Sequence, residues 1–464
     1  MDLVIKWFSE NNLDKNTYQL DGIKWCLTRE TQGSVINEKC ISGGLVADEM
    51  GLGKTITMLS MLVANPLPST LIVLPKVLIP QWAFTIKKLF NIVPYIYHGQ
   101  NITNITERKF NFIKSTNNII ITTYGMISLS NKENLLHNTS WNRIIYDEAH
   151  HLRNYKTKIF TGAYKLTFKS DITWLVTGTP IQNKKSDFYS LCDIIGIPCE
   201  YYKKTENLPM LAKNFIIKRT KKDVGIAMPN LTTKVITVDW ANDEERQLAE
   251  EIHSKLGFSN VISKKTHFNI GTTNEFILPL LIKARQICIS SNLIKNIRYI
   301  DDGECNITAT SKLHSVVRTI ISADKTNKKI VFCHYRGEID ELQKQLEVHD
   351  LKVKIYDGRT KFKDRDSVLT DSSDCDVLIL QIQTGCEGLN LQEFNQVYFI
   401  SPHWNPSIEK QAIARCHRIG QLKDVEVFRF IMASFDEEYE TCNLEMHSNI
   451  IQQKKQEIAS KICG

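Results

Sequence analysis

The sequence predicts an α/β protein made of two parallel-sheet lobes with a mainly helical stretch between them. Three observations carry that expectation. The chain has 464 residues, more than a single hydrophobic core ordinarily serves. Short apolar, β-branched runs that end in turns or charged clusters alternate with longer amphipathic stretches, as strands do when helices cover both faces of a parallel sheet. The alternation lapses between about residues 230 and 310 and then resumes.

In the first half the strand-like runs are GGLVAD (43–48), TLIVLP (70–75), NIIITT (118–123), RIIYDE (143–148) and TWLVTG (173–178). In the gap, NDEERQLAEEIHSKLGF (242–258) reads as a polar-faced helix. FILPLLIKARQICI (276–289) reads as a more buried helix that kinks or starts near Pro279. The second half offers KKIVFCH (328–334), LKVKIYDG (351–358), CDVLILQ (375–381), QVYFIS (396–401) and VEVFRF (425–430). The expected division is a first lobe over 1–230, a helical segment over 231–310, a second lobe over 311–445 and a helical tail over 446–464.

Composition excludes several classes. Apolar residues make up 42%, enough for packed cores. Twelve cysteines are scattered with no C-x-x-C pair, which argues against zinc fingers and disulfide scaffolds. No run approaches the roughly 20 apolar residues of a membrane span, and the opening MDLVIKWFSE lacks the apolar core of a signal peptide. An intracellular protein is expected. Charge is uneven: residues 1–230 carry 28 Lys/Arg against 18 Asp/Glu, and the remainder 30 against 33. The first part is the better candidate for a polyanion surface, although ordinary solvation explains a charge of this size about as well.

A phosphate site is predicted at ADEMGLGKTITML (47–59), where a strand gives way to a glycine loop and then to a helix at about Lys54. Gly51 and Gly53 allow a backbone approach that a Cβ would block, so loop amides and the helix N-terminus can cradle phosphate oxygens. Lys54 would reach the β/γ-phosphates, and the Thr55 hydroxyl would ligate Mg²⁺. The strict G-x-x-x-x-G-K-T pattern fails at its first position, Asp48, so strand–loop–helix context carries the assignment. RIIYDEAHHL (143–152) delivers Asp147 and Glu148 to the carboxyl end of a strand. There Asp147 would hold Mg²⁺ and Glu148 would orient the attacking water. Alone, such an acidic pair more often heads a helix. In LVTGTPIQN (175–183), Thr177, Gly178 and Thr179 form either a capped turn or a loop that senses the γ-phosphate. QAIARCHRIG (411–420) sets Gln411, Arg415 and Arg418 on one predicted helical face, and two adjacent guanidiniums need an anion to share.

These pieces, in this order, resemble helicase superfamily two and, within it, the SWI/SNF-type ATPases, over nearly the whole chain. YQLDGIKW (18–25) looks like the adenine-contacting glutamine motif, with Gln19 as base reader; DEMGLGKT (48–55: Asp48, Glu49, Met50, Gly51, Leu52, Gly53, Lys54, Thr55) and DEAH (Asp147, Glu148, Ala149, His150) look like motifs I and II. STLIVLPKVLIPQW (69–82), with Pro75 and Lys76, looks like the DNA-backbone motif Ia; GTPIQN looks like motif III, and FIIKRTKKDV (215–224) like the basic stretch closing the first lobe. GLNL (388–391), HWNP (403–406) and QAIARCHRIGQ (411–421) look like motifs V and VI, which implies nucleotide contacts by Gly388 and Gln411, coupling or DNA contacts by Asn390 and Trp404, and arginine fingers at Arg415 and Arg418. Thr384-Gly385-Cys386-Glu387 departs from the Ala-Gly-Gly usual before the motif V glycine.

The resemblance implies two RecA-like lobes, ATP and Mg²⁺ as cofactors, and ATP hydrolysis stimulated by duplex DNA, with translocation that remodels protein–DNA complexes such as nucleosomes or assists the transcription machinery. It implies a monomeric motor or a subunit of a larger complex, in the nucleus or, if the chain is viral, at a host nuclear or cytoplasmic replication site. Frequent Asn, Ile and Lys, as in NITNITERKFNFIK (101–114), point to an AT-rich genome, and a short motor of this kind resembles the global-transactivator proteins of large insect DNA viruses. Two alternatives stand beside this reading: an ATP-gated DNA-binding transcription regulator with little turnover, and a DEAH-type RNA helicase.

Overall fold

The computed structural model describes residues 1–102, 105–128, 134–179, 185–256, 277–294, 310–360, 375–385, 389, 391–435, 443–450 and 452–453. The chain divides into two compact units between Ala227 and Met228.

The first unit is built on a seven-stranded sheet in the order Tyr95–Ile96, Ile119–Thr123, Thr70–Leu74, Trp141–Asp147, Ser170–Val176, Gly43–Val46, Ile216–Ile217. Every pairing in it is parallel. Successive side chains of a strand point to opposite faces, and the central strands serve two cores accordingly. Leu45, Ile120, Ile144 and Tyr146 enter one apolar cluster. Val46, Ile119, Ile121 and Ile145 enter the other, with Trp82 and Trp174. The five runs read from the sequence are the five inner strands; the outer two are two-residue edges too short to register as periodicity.

One ion pair anchors this unit from inside. Arg143 donates from Nε to Glu30 Oε1 at 2.6 Å and from Nη2 to Glu30 Oε2 at 2.5 Å, with neither side chain exposed. Trp174 Nε1 donates to the same carboxylate at 2.7 Å. The end of helix Thr17–Thr31 is thereby tied to two inner strands.

The second unit holds a six-stranded parallel sheet in the order Leu231–Val238, Val425–Met432, Gln396–Phe399, Lys329–Cys333, Val377–Gln381, Val353–Tyr356. Its two faces again carry separate cores: Val331 and Cys333 face one, Ile330 and Phe332 the other. The stretch expected to be helical from 231 onward opens instead with a strand, paired over eight residues with Val425–Met432. LTTKVITV is rich in β-branched residues, but as an edge strand it buries only Val238, so it shows no continuous apolar run. Helices follow at Asp243–Ser254 and Ile277–Ile289. Among the described residues no helix is long and apolar enough to cross a membrane.

A buried carboxylate in this unit makes a stability prediction. Glu338 Oε2 accepts from the backbone amides of His334 at 2.7 Å and Tyr335 at 2.9 Å, closing the start of helix Arg336–Glu347. Burial pushes its carboxyl up to about 7. A carboxyl whose pKa is raised on folding contributes its full stability below the unfolded value, and that contribution is lost as pH rises through the folded one. Glu338→Gln keeps an acceptor for both amides without the charge. It is expected to leave stability near pH 4.5 almost unchanged and to raise that of the second unit above pH 7 by on the order of 2 kcal/mol, read from urea unfolding at the two pH values.

Candidate nucleotide site

In the first unit the phosphate loop follows strand Gly43–Val46 and runs into helix Lys54–Ala64. Gly51 (φ 96°) and Gly53 (φ 80°) both take left-handed backbone, which brings the loop amides round to the helix start. A Cβ on Gly53 would lie 2.7 Å from Gln19 Nε2, so a larger residue here would displace the Gln19 amide as well as strain the backbone. Gln19 is buried, with its amide 3.5 Å from the Gly53 carbonyl. The residue expected to read the base therefore sits on the loop expected to hold the phosphates. Lys54 Nζ turns back onto the carbonyls of Asp48 (2.8 Å) and Glu49 (3.4 Å). Thr55 lies in the first turn of the helix, half-buried.

Strand Trp141–Asp147 ends with Asp147 under the same edge of the sheet. Its carboxylate accepts from Trp82 Nε1 at 2.8 Å and from the Glu148 amide at 3.0 Å. Burial first, and the Glu148 charge second, push Asp147 up to about 7, and nearby Lys54 acts in the opposite sense. Glu148 itself is in left-handed backbone (φ 50°, ψ 49°), a costly conformation for a residue with a long side chain. That turn is followed directly by the DEAH residues Ala149 and His150, both buried. His150 Nδ1 lies 3.2 Å from the Glu148 carboxylate and 3.4 Å from the Thr177 hydroxyl. Thr177 Oγ1 accepts from the Thr179 amide at 3.2 Å. A Cβ on Gly178 would sit 3.2 Å from Met50 Cγ and 3.5 Å from Lys54 Nζ. The phosphate loop, the DEAH turn and the Thr177–Thr179 turn thus meet at one end of one sheet. Pro75 is buried at the end of strand Thr70–Leu74, and Lys76 is exposed beside it.

The donor set suits a hard divalent cation that shares its shell with phosphate. Among the described residues no group of three or more His, Cys, Asp or Glu side chains could hold a metal. Mg²⁺ is typically bound by one or two carboxylates, waters and substrate oxygens rather than by an all-protein cage. Asp147 and Thr55 fit that pattern, and the raised Asp147 beside Glu148 is the charge crowding a cation would relieve.

In the second unit, helix Pro406–Cys416 carries Gln411, buried, and Arg415, half-buried. Arg418 is not on it, contrary to the single helical face expected from spacing. The helix stops at Cys416, whose carbonyl accepts from Gln421 Nε2 at 3.1 Å, and Gly420 follows in left-handed backbone (φ 98°). Arg418 nevertheless remains close enough to Arg415 for that charge, after burial, to lower its hold on its proton. HWNP forms the head of the same helix: the Asn405 side chain accepts from the Ser407 amide at 3.1 Å and Pro406 takes the first position. Trp404 is half-buried, with the Arg285 guanidinium 4.5 Å from its ring centre. Gly388, Asn390 and the Pro180–Asn183 part of GTPIQN lie outside the described residues.

Sequence reasoning missed three side chains around the first-unit site. Trp82, from the IPQW stretch, holds Asp147. Arg219 and Lys221, from the basic stretch 215–224, pair with Asp48 and Glu49. The signal for the last two was a run of cations, Lys218, Arg219, Lys221 and Lys222, that a single neighbouring acid, Asp223, cannot balance.

A family model described as "SNF2-related domain" matches residues 18–293, and one described as "Helicase conserved C-terminal domain" matches residues 311–420. Among curated proteins, an "Uncharacterized ATP-dependent helicase" of Mycoplasma pneumoniae is 28% identical over 470 residues, covering 96% of this chain and 42% of that protein. A "Probable global transactivator" of Orgyia pseudotsugata multicapsid polyhedrosis virus is 26% identical, covering 96% of this chain and 90% of that protein. "ATP-dependent DNA helicase DDM1" of Arabidopsis thaliana is 26% identical, covering 90% of this chain and 59% of that protein. The chain thus spans about two-fifths of the length of its mycoplasma relatives and nearly the whole of the viral one.

Proposed function

This chain belongs to the SNF2-related domain family, and from that premise we propose that it is an ATP-driven motor that hydrolyses ATP on binding duplex DNA and moves along it, remodelling protein–DNA complexes or assisting transcription. The observation that carries this is the convergence of Lys54, Asp147, Glu148, His150 and Thr177 at one sheet edge.

Gln19 reads the base and residues 48–55 cradle the phosphates, with Lys54 on the β- and γ-phosphates. Asp147 and Thr55 hold Mg²⁺, which when bound offsets charge on the transferring phosphoryl group. Glu148 orients the attacking water by accepting its hydrogen bond. His150 bridges Glu148 to Thr177, so the turn at 177–179 registers the state of the site; that bridge supports a coupling role for Thr177, Gly178 and Thr179. Gly388 and Gln411 contact nucleotide, and Arg415 and Arg418 of the second unit act as arginine fingers on the γ-phosphate, supported by their crowded, partly buried like charges. Pro75, Lys76, Asn390 and Trp404 couple the site to DNA. Phosphate contacts are sequence-neutral and salt-sensitive, so no strong sequence preference follows. The excess of cations over residues 1–230 supports a polyanion partner. One relative named as a DNA helicase and another named as a viral transactivator support a nuclear or viral-DNA setting.

Phosphate release, followed with no nucleic acid, with duplex DNA and with RNA, tests the proposal. Stimulation by duplex DNA that is abolished by Lys54→Ala is expected. Turnover indifferent to DNA would favour the regulator reading, and stimulation by RNA alone would favour an RNA helicase.

A further inference from the structure

We infer that Arg219 is a positioning residue for the nucleotide: it neutralises the Asp48 carboxylate behind the phosphate loop and locks that loop to the adenine-side helix. The inference rests on the nucleotide site proposed above and extends it to a residue with no assigned role.

Asp48 stands where a phosphate loop of the strict pattern has its first glycine. Its carboxylate is fully buried, in the loop that must receive a polyanion. An unpaired buried carboxylate there would repel the phosphates and would be costly to bury in its own right. Arg219 answers both. It donates from Nε to Asp48 Oδ1 at 3.1 Å and from Nη2 to Oδ2 at 2.5 Å, the two-point fork that only a guanidinium supplies.

The same guanidinium also donates from Nη1 to the carbonyl of Tyr18, the residue before Gln19, and lies 5.6 Å from the Tyr18 ring centre. Helix Thr17–Thr31 makes room for it: a Cβ on Gly22 would lie 2.6 Å from Arg219 Nη2. One side chain therefore spans the base-reading helix and the phosphate loop.

The backbone beneath it is fixed independently. Beyond strand Ile216–Ile217 the chain keeps bonding to the loop, Ala47 N to Ile217 O at 2.7 Å and Glu49 N to Arg219 O at 2.8 Å. Lys221 closes the row, with its amide 2.8 Å from Glu49 Oε2 and its ammonium 3.2 Å from Glu49 Oε1. Two acidic loop residues are thus met by two cations from one segment. Because the backbone row survives loss of the Arg219 side chain, a variant there reports on charge and on the fork rather than on strand pairing.

The test is titration of the full chain with ADP carrying a fluorescent methylanthraniloyl group, without metal, alongside steady-state kinetics. Arg219→Met is expected to weaken nucleotide binding about tenfold, the scale of one unit charge acting across roughly 12 Å at an effective dielectric of about 20, and to raise the KM for ATP more than it lowers kcat. Arg219→Lys, with the charge but no fork, should fall between. Asp48→Asn keeps an acceptor for Arg219 and should tighten binding. Asp48→Asn combined with Arg219→Met should recover most of the lost affinity, and it keeps the test open if the single variant does not fold. Parental affinity in Arg219→Met, or no recovery in the double variant, would overturn the inference. A parent chain that fails to bind the probe would instead overturn the nucleotide site itself.

Discussion

Arg418→Ala is expected to lower ATP turnover by roughly 10³–10⁵-fold, the range an arginine finger supplies, while leaving nucleotide affinity close to that of the parent. The separation follows from where the residues lie. Gln19, Lys54 and the glycine loop all belong to the first unit, and Arg418 to the second. Arg418 is partly buried, and burial together with the neighbouring Arg415 makes its charge harder to keep. A pair of guanidiniums held in that way gains most when an anion arrives. Arg418→Lys keeps a positive charge but not the planar fork, so only a small part of the rate should return. Single-turnover hydrolysis beside equilibrium binding separates the two effects. Hydrolysis at the parental rate in Arg418→Ala would remove the residue from the machinery.

Glu148→Gln comes next in size. The change keeps an acceptor within reach of His150 and alters the volume little, but it removes the negative charge that the proposed mechanism uses to orient and polarise the water. A loss of about 10²–10⁴-fold in turnover is expected, with ATP still bound. Filter-binding of radiolabelled ATP, followed by analysis of the bound nucleotide, should find unhydrolysed ATP on the variant and ADP on the parent. If bound ATP were turned over as in the parent, the water would be held by another group. The variant also relieves the crowding that raises Asp147, since the Glu148 charge is the second cause of that rise after burial. Cation binding at Asp147 should then depend less steeply on pH.

Much of this was legible from residue order. The inner strands of both sheets are short, apolar and rich in Ile, Val and Leu, because a strand covered on both faces has no polar side to show. Leu231–Val238 escaped because an exposed edge strand obeys no such rule. Arg418 was misplaced on a helix because three-residue spacing is blind to where the last carbonyls are capped; Gln421 and Gly420 end the helix two residues before it. HWNP was read as a contact motif, and locally it is also a helix start.

The sequence by itself determined the class of the protein: strand–loop–helix at Lys54, an acidic pair at a strand end, and the later arginines, in an order that needs no coordinates to read. Those signals are local, set by neighbours a few residues apart. Which charges face one another was decided only in three dimensions. Arg219 meets Asp48 across 171 positions, Arg143 meets Glu30 across 113, and Trp82 meets Asp147 across 65. No periodicity records such partners, because parallel strands joined by helices bring together segments whose separation in the chain depends on everything between them. The pairing is enforced instead by burial, since a charge removed from water must find its counterpart wherever the fold has put it.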